Sequence, residues 1–236
     1  MTVEAVTHTG KLQRILKFWD EDKCLSAMFL LLVVFIFVLV PVFDRGRLGE
    51  LLIKGTYTII LCTAILSVIK NSRYMAIVGI VAVAAIIVNW VSDFEPTNAV
   101  MIAHNVAAIC FNLLFAIIIL MKTFKSGDIN FQRIQGSIVV FLLAGLMYAY
   151  LFHTIYLYAG ESAFNNLSGI GLKEFLYFSF TSLTTMGYGD ITPVHPLARS
   201  LANSEALIGQ LYPAILIARL VSMEFESSAK KRKRSD

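Results

Sequence analysis

Charge is scarce in this chain. Asp, Glu, Lys and Arg make up 15% of its 236 residues, against 57% hydrophobic. That balance excludes a soluble globular domain. Several apolar runs of about 20 residues, each enough to cross a bilayer core, make it an integral membrane protein. Cysteine is scarcer still. Cys24, Cys62 and Cys110 lie in or at the edge of separate apolar runs, without metal-ligand spacing or a disulfide framework, so they read as buried small hydrophobes. Missing too are a phosphate-binding loop, a nucleophile with its base, and any metal motif. The chain is therefore not read as an enzyme, and neither a cofactor nor a nucleic-acid partner is expected.

A cleavable leader is also missing. The first apolar run, Leu25 to Val40, is too long for a signal core and lacks a small-residue cleavage site, so it reads as a retained helix. Ahead of it, Leu12, Ile15, Leu16 and Trp19 recur at helical spacing, with Lys11, Arg14 and Lys17 on other faces. Residues 1–23 are thus either an interfacial helix or a floppy basic tail. Membrane helices are expected over 24–43, 51–69, 74–91 and 98–121, with Lys54 snorkelling to the interface. A tight turn over 70–73 and an acidic, helix-breaking link over 92–96 join the later three. Two more helices are expected over 134–158 and 197–223.

Lys and Arg cluster in the N-terminal segment, at Lys70 and Arg73, over Lys122 to Arg133, and over Lys230 to Arg234. With six spans all of these fall on one side, which the positive-inside rule makes cytoplasmic. Both termini are then inside, and Asp93, Glu95 and Asp190 outside. Only Arg45 and Arg47 oppose the pattern, flanked by Asp44 and Glu50.

Between the last two helices stands Thr184-Thr185-Met186-Gly187-Tyr188-Gly189-Asp190, preceded by an aromatic-rich segment from Phe175 to Leu183. Gly187 and Gly189 tolerate backbone angles closed to other residues, so successive carbonyls can turn to one side. A row of carbonyls can replace the water shell of a dehydrated cation. Thr185 adds a hydroxyl at the inner end, Tyr188 can brace the strand, and Asp190 can anchor its mouth.

Thr185, Gly187, Tyr188, Gly189 and Asp190, between an outer helix with a pore helix and an inner helix, resemble the selectivity filter of the potassium channel superfamily. Overall, the layout resembles six-transmembrane voltage-gated potassium channels without a basic fourth helix; the pore module resembles bacterial two-transmembrane ones. Met186 departs from the pattern, standing where the family more often has valine. The resemblance implies an all-α membrane fold: six transmembrane helices plus a re-entrant pore helix and filter loop, tetrameric around a central pore. It divides the chain into a cytoplasmic N-terminal segment (1–23), a four-helix sensor-like module (24–125), a pore module (126–226) and a basic cytoplasmic tail (227–236). No regulatory domain is expected after the pore.

Moving one charge through 100 mV is worth about 2.3 kcal/mol, so steep voltage gating needs several basic residues on the fourth helix. Residues 98–121 contain none. Their polar residues, His104, Asn105 and Asn112, serve either interhelical hydrogen bonding or a polar site.

In the pore module the resemblance assigns K+ coordination to Thr185, Met186, Gly187 and Tyr188. Filter support falls to Thr184, Gly189, Asp190, Tyr177, Phe178 and Thr181. Gly209 and Pro213 form either a gate hinge or a static kink. Gln210, Ala214 and Ile217 share a face expected to line the cavity. Glu205 lies about 140° from Gln210 around the helix, pointing behind the filter, as a structural hydrogen-bond partner or a proton switch. Tyr148, Tyr150, Tyr156 and Tyr158 read as an interfacial belt, and His153 among them as a belt residue or a proton sensor. The basic tail is a topology signal, a solvated tail or a site for anionic lipid headgroups.

The expected protein is a homotetrameric potassium-selective channel of a prokaryotic plasma membrane, passive and not strongly voltage-gated. The alternatives are a weakly selective cation channel and a non-conducting membrane scaffold or sensor with a channel fold.

Overall fold

The computed structural model describes residues 21–43, 46–68, 72–91, 97–124, 131–167, 169 and 171–235. Expectations on the N-terminal segment before residue 21, the turn at 69–71, the acidic link 92–96 and the connection 125–130 lie outside these residues. The first rod comprises α1 (Glu21–Val34), a π-helical turn (Phe35–Leu39) and α2 (Val40–Phe43). Then come α3 (Arg47–Val68), α4 (Ser72–Val91), α5 (Asn98–Thr123), α6 (Phe131–Ala159), α7 (Leu172–Leu183) and α8 (Pro196–Ser235). Five stretches are long and apolar enough to cross a membrane: Leu25–Phe43, Arg47–Ser67, Asn98–Thr123, Arg133–Ala159 and Pro196–Met223. Ala76–Val91, within α4, is a shorter apolar helix. The described chain is thus all-helical apart from one small bridge. There β1 (Phe164–Asn165) pairs antiparallel with β2 (Thr192–Pro193), with Phe164 opposite Pro193.

The core is built around α6. In its apolar stretch 61% of residues are buried within the chain, against 11% for that of α8. Val139, Leu143, Leu146, Ala149 and Phe152 run along α6 at helical spacing and are essentially inaccessible. α6 packs against α1, α5, α7 and α8, so every element of the last third of the chain is referred to it. Thr97 caps α5 by accepting a hydrogen bond from the Val100 amide. At the other end of α5, Lys122 donates to the Ser67 carbonyl at 3.1 Å, near the end of α3.

This wrapping of α6 corrects the tyrosine belt. Tyr148, Tyr150 and Tyr156 are buried, and only Tyr158 of the four is exposed. A belt residue needs one face in lipid headgroups, and neighbouring helices already occupy that space. His153 is buried with them: the Asn105 amide donates to its Nδ1 at 3.2 Å, and its ring stacks on Phe175 of α7 at 5.2 Å. Asn112 donates back to the Ala108 carbonyl, while His104 packs edge-on to Tyr57 and Tyr150.

Two further corrections follow. Cys62 and Cys110 are exposed on outward helix faces rather than buried. In a membrane protein an apolar residue gains nothing extra from facing protein instead of lipid. The last helix, expected to end at 223, continues to Ser235. From 223 to 235 the sequence has neither Gly nor Pro and is rich in Glu, Lys and Arg, all strong helix formers. At 40 residues α8 is about 60 Å long, twice a bilayer core of about 30 Å.

Replacing Asn105 with Ala removes the partner of a buried imidazole. It should lower the stability of the protein in mild detergent by about 0.6–1.7 kcal/mol, read from its thermal midpoint. Ile117→Ala, on the exposed face of the same helix, should leave that midpoint nearly unchanged.

Candidate functional site

The segment 184–190 hangs from the C-terminal end of α7, and its first amides are all spoken for. Thr184 N–H donates to Phe180 O at 3.0 Å, Thr185 N–H to Ser182 O at 2.9 Å, and both Met186 and Gly187 N–H to Thr181 O at 2.9 and 3.1 Å. The helix end therefore finds donors for its unpaired carbonyls, and the loop is pinned by its N–H side. Among the described hydrogen bonds none ends on a carbonyl of Thr185, Met186, Gly187 or Tyr188.

Backbone handedness alternates along the same residues. φ is +58° at Thr185, +55° at Gly187 and +77° at Gly189, whereas Met186 and Tyr188 between them keep negative φ. Such alternation turns successive peptide units the same way instead of to opposite sides, as in an ordinary strand. Glycine takes the left-handed angle at little cost. Thr185 pays a steric cost there, held in place by its amide bond to Ser182. The chemistry open to this arrangement is cation coordination by a stack of carbonyl oxygens. The C-terminal end of α7, the negative end of its dipole, lies beside it.

The supporting residues divide in two. The Tyr177 hydroxyl donates to Asp190 Oδ2 at 2.7 Å, and its ring stacks parallel to that of Tyr188 at 6.4 Å. These contacts clamp the mouth of the loop to α7, and the Tyr177 hydroxyl holds the Asp190 carboxyl below the usual carboxylate range. Thr184 donates to Phe180 O at 2.6 Å and Thr181 to Phe178 O at 2.9 Å. Phe178 points elsewhere, its ring 4.8 Å from Phe152 and 5.6 Å from Phe164. It anchors α7 to α6 and makes no ring contact with the loop.

α8 passes close behind. A Cβ at Gly209 would overlap the carbonyl oxygen of Leu183, so this glycine lets two backbones meet at the root of the loop. One turn earlier the Glu205 carboxyl is fully buried, with Oε1 2.5 Å from Ser179 Oγ. Pro213 sits inside α8. Tyr212 faces the protomer, donating to Ser137 O at 2.9 Å, while Gln210, Ala214 and Ile217 face away from it. Ser179 was not singled out from the sequence. Its only signal is a hydroxyl within the buried stripe Phe175, Phe178, Ser179, Leu183 of α7.

Residues 137–226 match a family model described as an ion channel. Among curated proteins the chain is similar to Protein LctB of Geobacillus stearothermophilus, 38% identical over 69 residues, covering 29% of this chain and 50% of that protein. Protein LctB of Bacillus caldotenax is 42% identical over 50 residues, covering 21% and 37%. Two pore potassium channel c of Oryza sativa subsp. japonica is 36% identical over 86 residues, covering 33% and 19%. The chain thus spans half the length of the first relative and less of the other two. No solved structure matches.

Two variants test this geometry. Because the Asp190 carboxyl is held low, its contact with Tyr177 contributes above the ordinary carboxylate pKa and is lost as pH falls through the lowered value. Tyr177→Phe should raise the Asp190 pKa toward the ordinary range, measured by carboxyl NMR titration of labelled protein. Gly209→Ala should force α7 and α8 apart and cost about 1–3 kcal/mol, measured as a lower thermal midpoint.

Proposed function

We infer, from the match of residues 137–226 to an ion channel family and the similarity to a two pore potassium channel, that this protein belongs to the potassium channel superfamily and is one subunit of a potassium-selective channel. It is a channel component rather than an enzyme. The observation that carries the reading is the loop backbone: amides bound back to α7, alternating φ, and a row of carbonyls on which no described hydrogen bond ends. The carbonyls of Thr185, Met186, Gly187 and Tyr188, with the Thr185 hydroxyl, would take the place of water around K+. Because the ligands are backbone atoms, Met186 in place of a β-branched residue alters the stiffness of the strand more than its ligand set.

One strand makes one wall, so the working unit is a homotetramer closed around the loop. In support, the protomer leaves α8 almost uncovered, with Leu207, Leu211, Ile215 and Ile217 exposed, as are Met186 and Tyr188. Six spans set both termini in the cytoplasm of a plasma membrane and the Asp190 mouth outside. The first four of these form a support rather than a strong voltage sensor: α5 carries no basic residue before Lys122, which is engaged with Ser67. Gly209 and Pro213 mark where α8 would bend, with Gln210, Ala214 and Ile217 toward the ion path. Lys230 to Arg234, on the helical extension of α8, would meet anionic headgroups or solvent.

The test is ion flux from liposomes holding the purified protein. The expected result is K+ flux well above Na+ flux, abolished by Gly187→Ala, which forces a side chain into a left-handed position at about 1–2 kcal/mol per subunit. Equal K+ and Na+ fluxes that still depend on Gly187 would make it a weakly selective cation channel. Absent flux at every pH and voltage, with a monomer or dimer in detergent, would leave a non-conducting scaffold or sensor.

A further inference from the structure

The Ser179 hydroxyl makes more contacts than its hydrogen can serve. Its Oγ lies 2.7 Å from the Gly145 carbonyl of α6 and 2.5 Å from Glu205 Oε1 of α8. A hydroxyl carries one hydrogen, and a carbonyl can only accept. If Glu205 were a carboxylate, one of the two contacts would set lone pair against lone pair within hydrogen-bond distance. Both are satisfied only when Glu205 Oε1 carries a hydrogen and donates it to Ser179 Oγ, leaving the serine to donate to Gly145 O. The surroundings agree: Glu205 is fully buried, Oε2 has no described partner, and no described cation pairs with it. A buried carboxylate with so few partners would cost several kcal/mol.

We propose that Glu205 is a neutral, proton-bearing carboxyl whose hydrogen bond to Ser179 ties α8 and α6 to the back of α7, making it a positioning residue for the filter. The proposal rests on the channel reading for its functional consequence alone. Ser179 lies two residues before Thr181, whose carbonyl holds the Met186 and Gly187 amides, so the link reaches the coordinating strand through one turn of helix. Removing the proton from Glu205 leaves one hydrogen for two acceptors and must release α7 from either α6 or α8.

Among the described residues no ionisable group of the packed elements bonds to Glu205, and several have other partners. On α6, Tyr148 is engaged with Ser204 at 3.0 Å. On α7, Lys173 and Glu174 lie 3.7 Å apart in the first turn, and Tyr177 is bonded to Asp190. On α8 itself, Tyr212 is bonded to Ser137.

The experiment is infrared spectroscopy of the purified full-length protein in lipid, wild type minus Glu205→Gln, with K+/Na+ flux selectivity measured on the same samples. A protonated-carboxyl stretch is expected at neutral pH, absent in Glu205→Gln and shifted in Ser179→Ala. It should disappear at alkaline pH together with K+ selectivity. Glu205→Gln, whose amide still donates to Ser179, should keep its selectivity and lose the alkaline sensitivity, whereas Glu205→Ala should lose selectivity. A neutral-pH spectrum without that band would overturn the proposal, even where the alanine variant fails to assemble. So would a glutamine variant as unselective as the alanine one. A band present in protein that conducts nothing would uphold the protonated link and count against the channel reading instead.

Discussion

The bonds from the amides of residues 184–187 back to the carbonyls of α7 are the constraint on which the rest depends. A row of like-pointing carbonyls repels itself and has no reason to persist in a free loop. Here the N–H side of the peptide units up to Gly187 N–H is tied to a helix end that needs donors, so the carbonyls of Thr185 and Met186 are set by default and the strand beyond them starts from a fixed root. Two glycines and a strained threonine supply the alternating angles. The inner part of the site is therefore fixed to α7, and its placement is a question of how α7 is held.

α7 is held from three directions. Phe175 and Phe178 lock it to α6 through His153 and Phe152, and to β1 through Phe164. Gly209 brings α8 against Leu183, and Ser179 joins the Gly145 carbonyl and Glu205. From the front half of the chain, Phe37 packs edge-on against Phe180 at 5.5 Å. That contact comes from the π-helical turn Phe35–Leu39, a widening often found at functional positions in helices. The first module thus touches the segment that carries the loop, and of its own polar residues Asn105 bonds to His153 of α6 while Asn112 bonds back within α5.

Much of this was legible in the sequence because membrane helices and glycine-rich loops write their physics locally. Apolar run lengths marked the spans, and Gly187 and Gly189 marked the left-handed positions. What sequence could not convey was which side of a helix meets protein and which meets lipid, since both are apolar. That is why the α6 tyrosines and His153 read as a belt, and why Cys62 and Cys110 read as buried. Phe178 could be placed on α7 but not on the face turned from the loop. The Ser179 contact depends on three helices meeting, which no spacing along one helix encodes. The helical run through the basic end of α8 was visible in its composition but outweighed by its charge.

The central claim is that the carbonyls of Thr185 to Tyr188 form a cation-binding column. The most direct measurement is a structure of the assembled protein in thallium(I), a heavy stand-in for K+, located by its anomalous signal. Density on the symmetry axis, level with those carbonyls and lost when Na+ replaces thallium, is the predicted result. A loop with its carbonyls turned from the axis, or an axis without bound cation, would contradict the account.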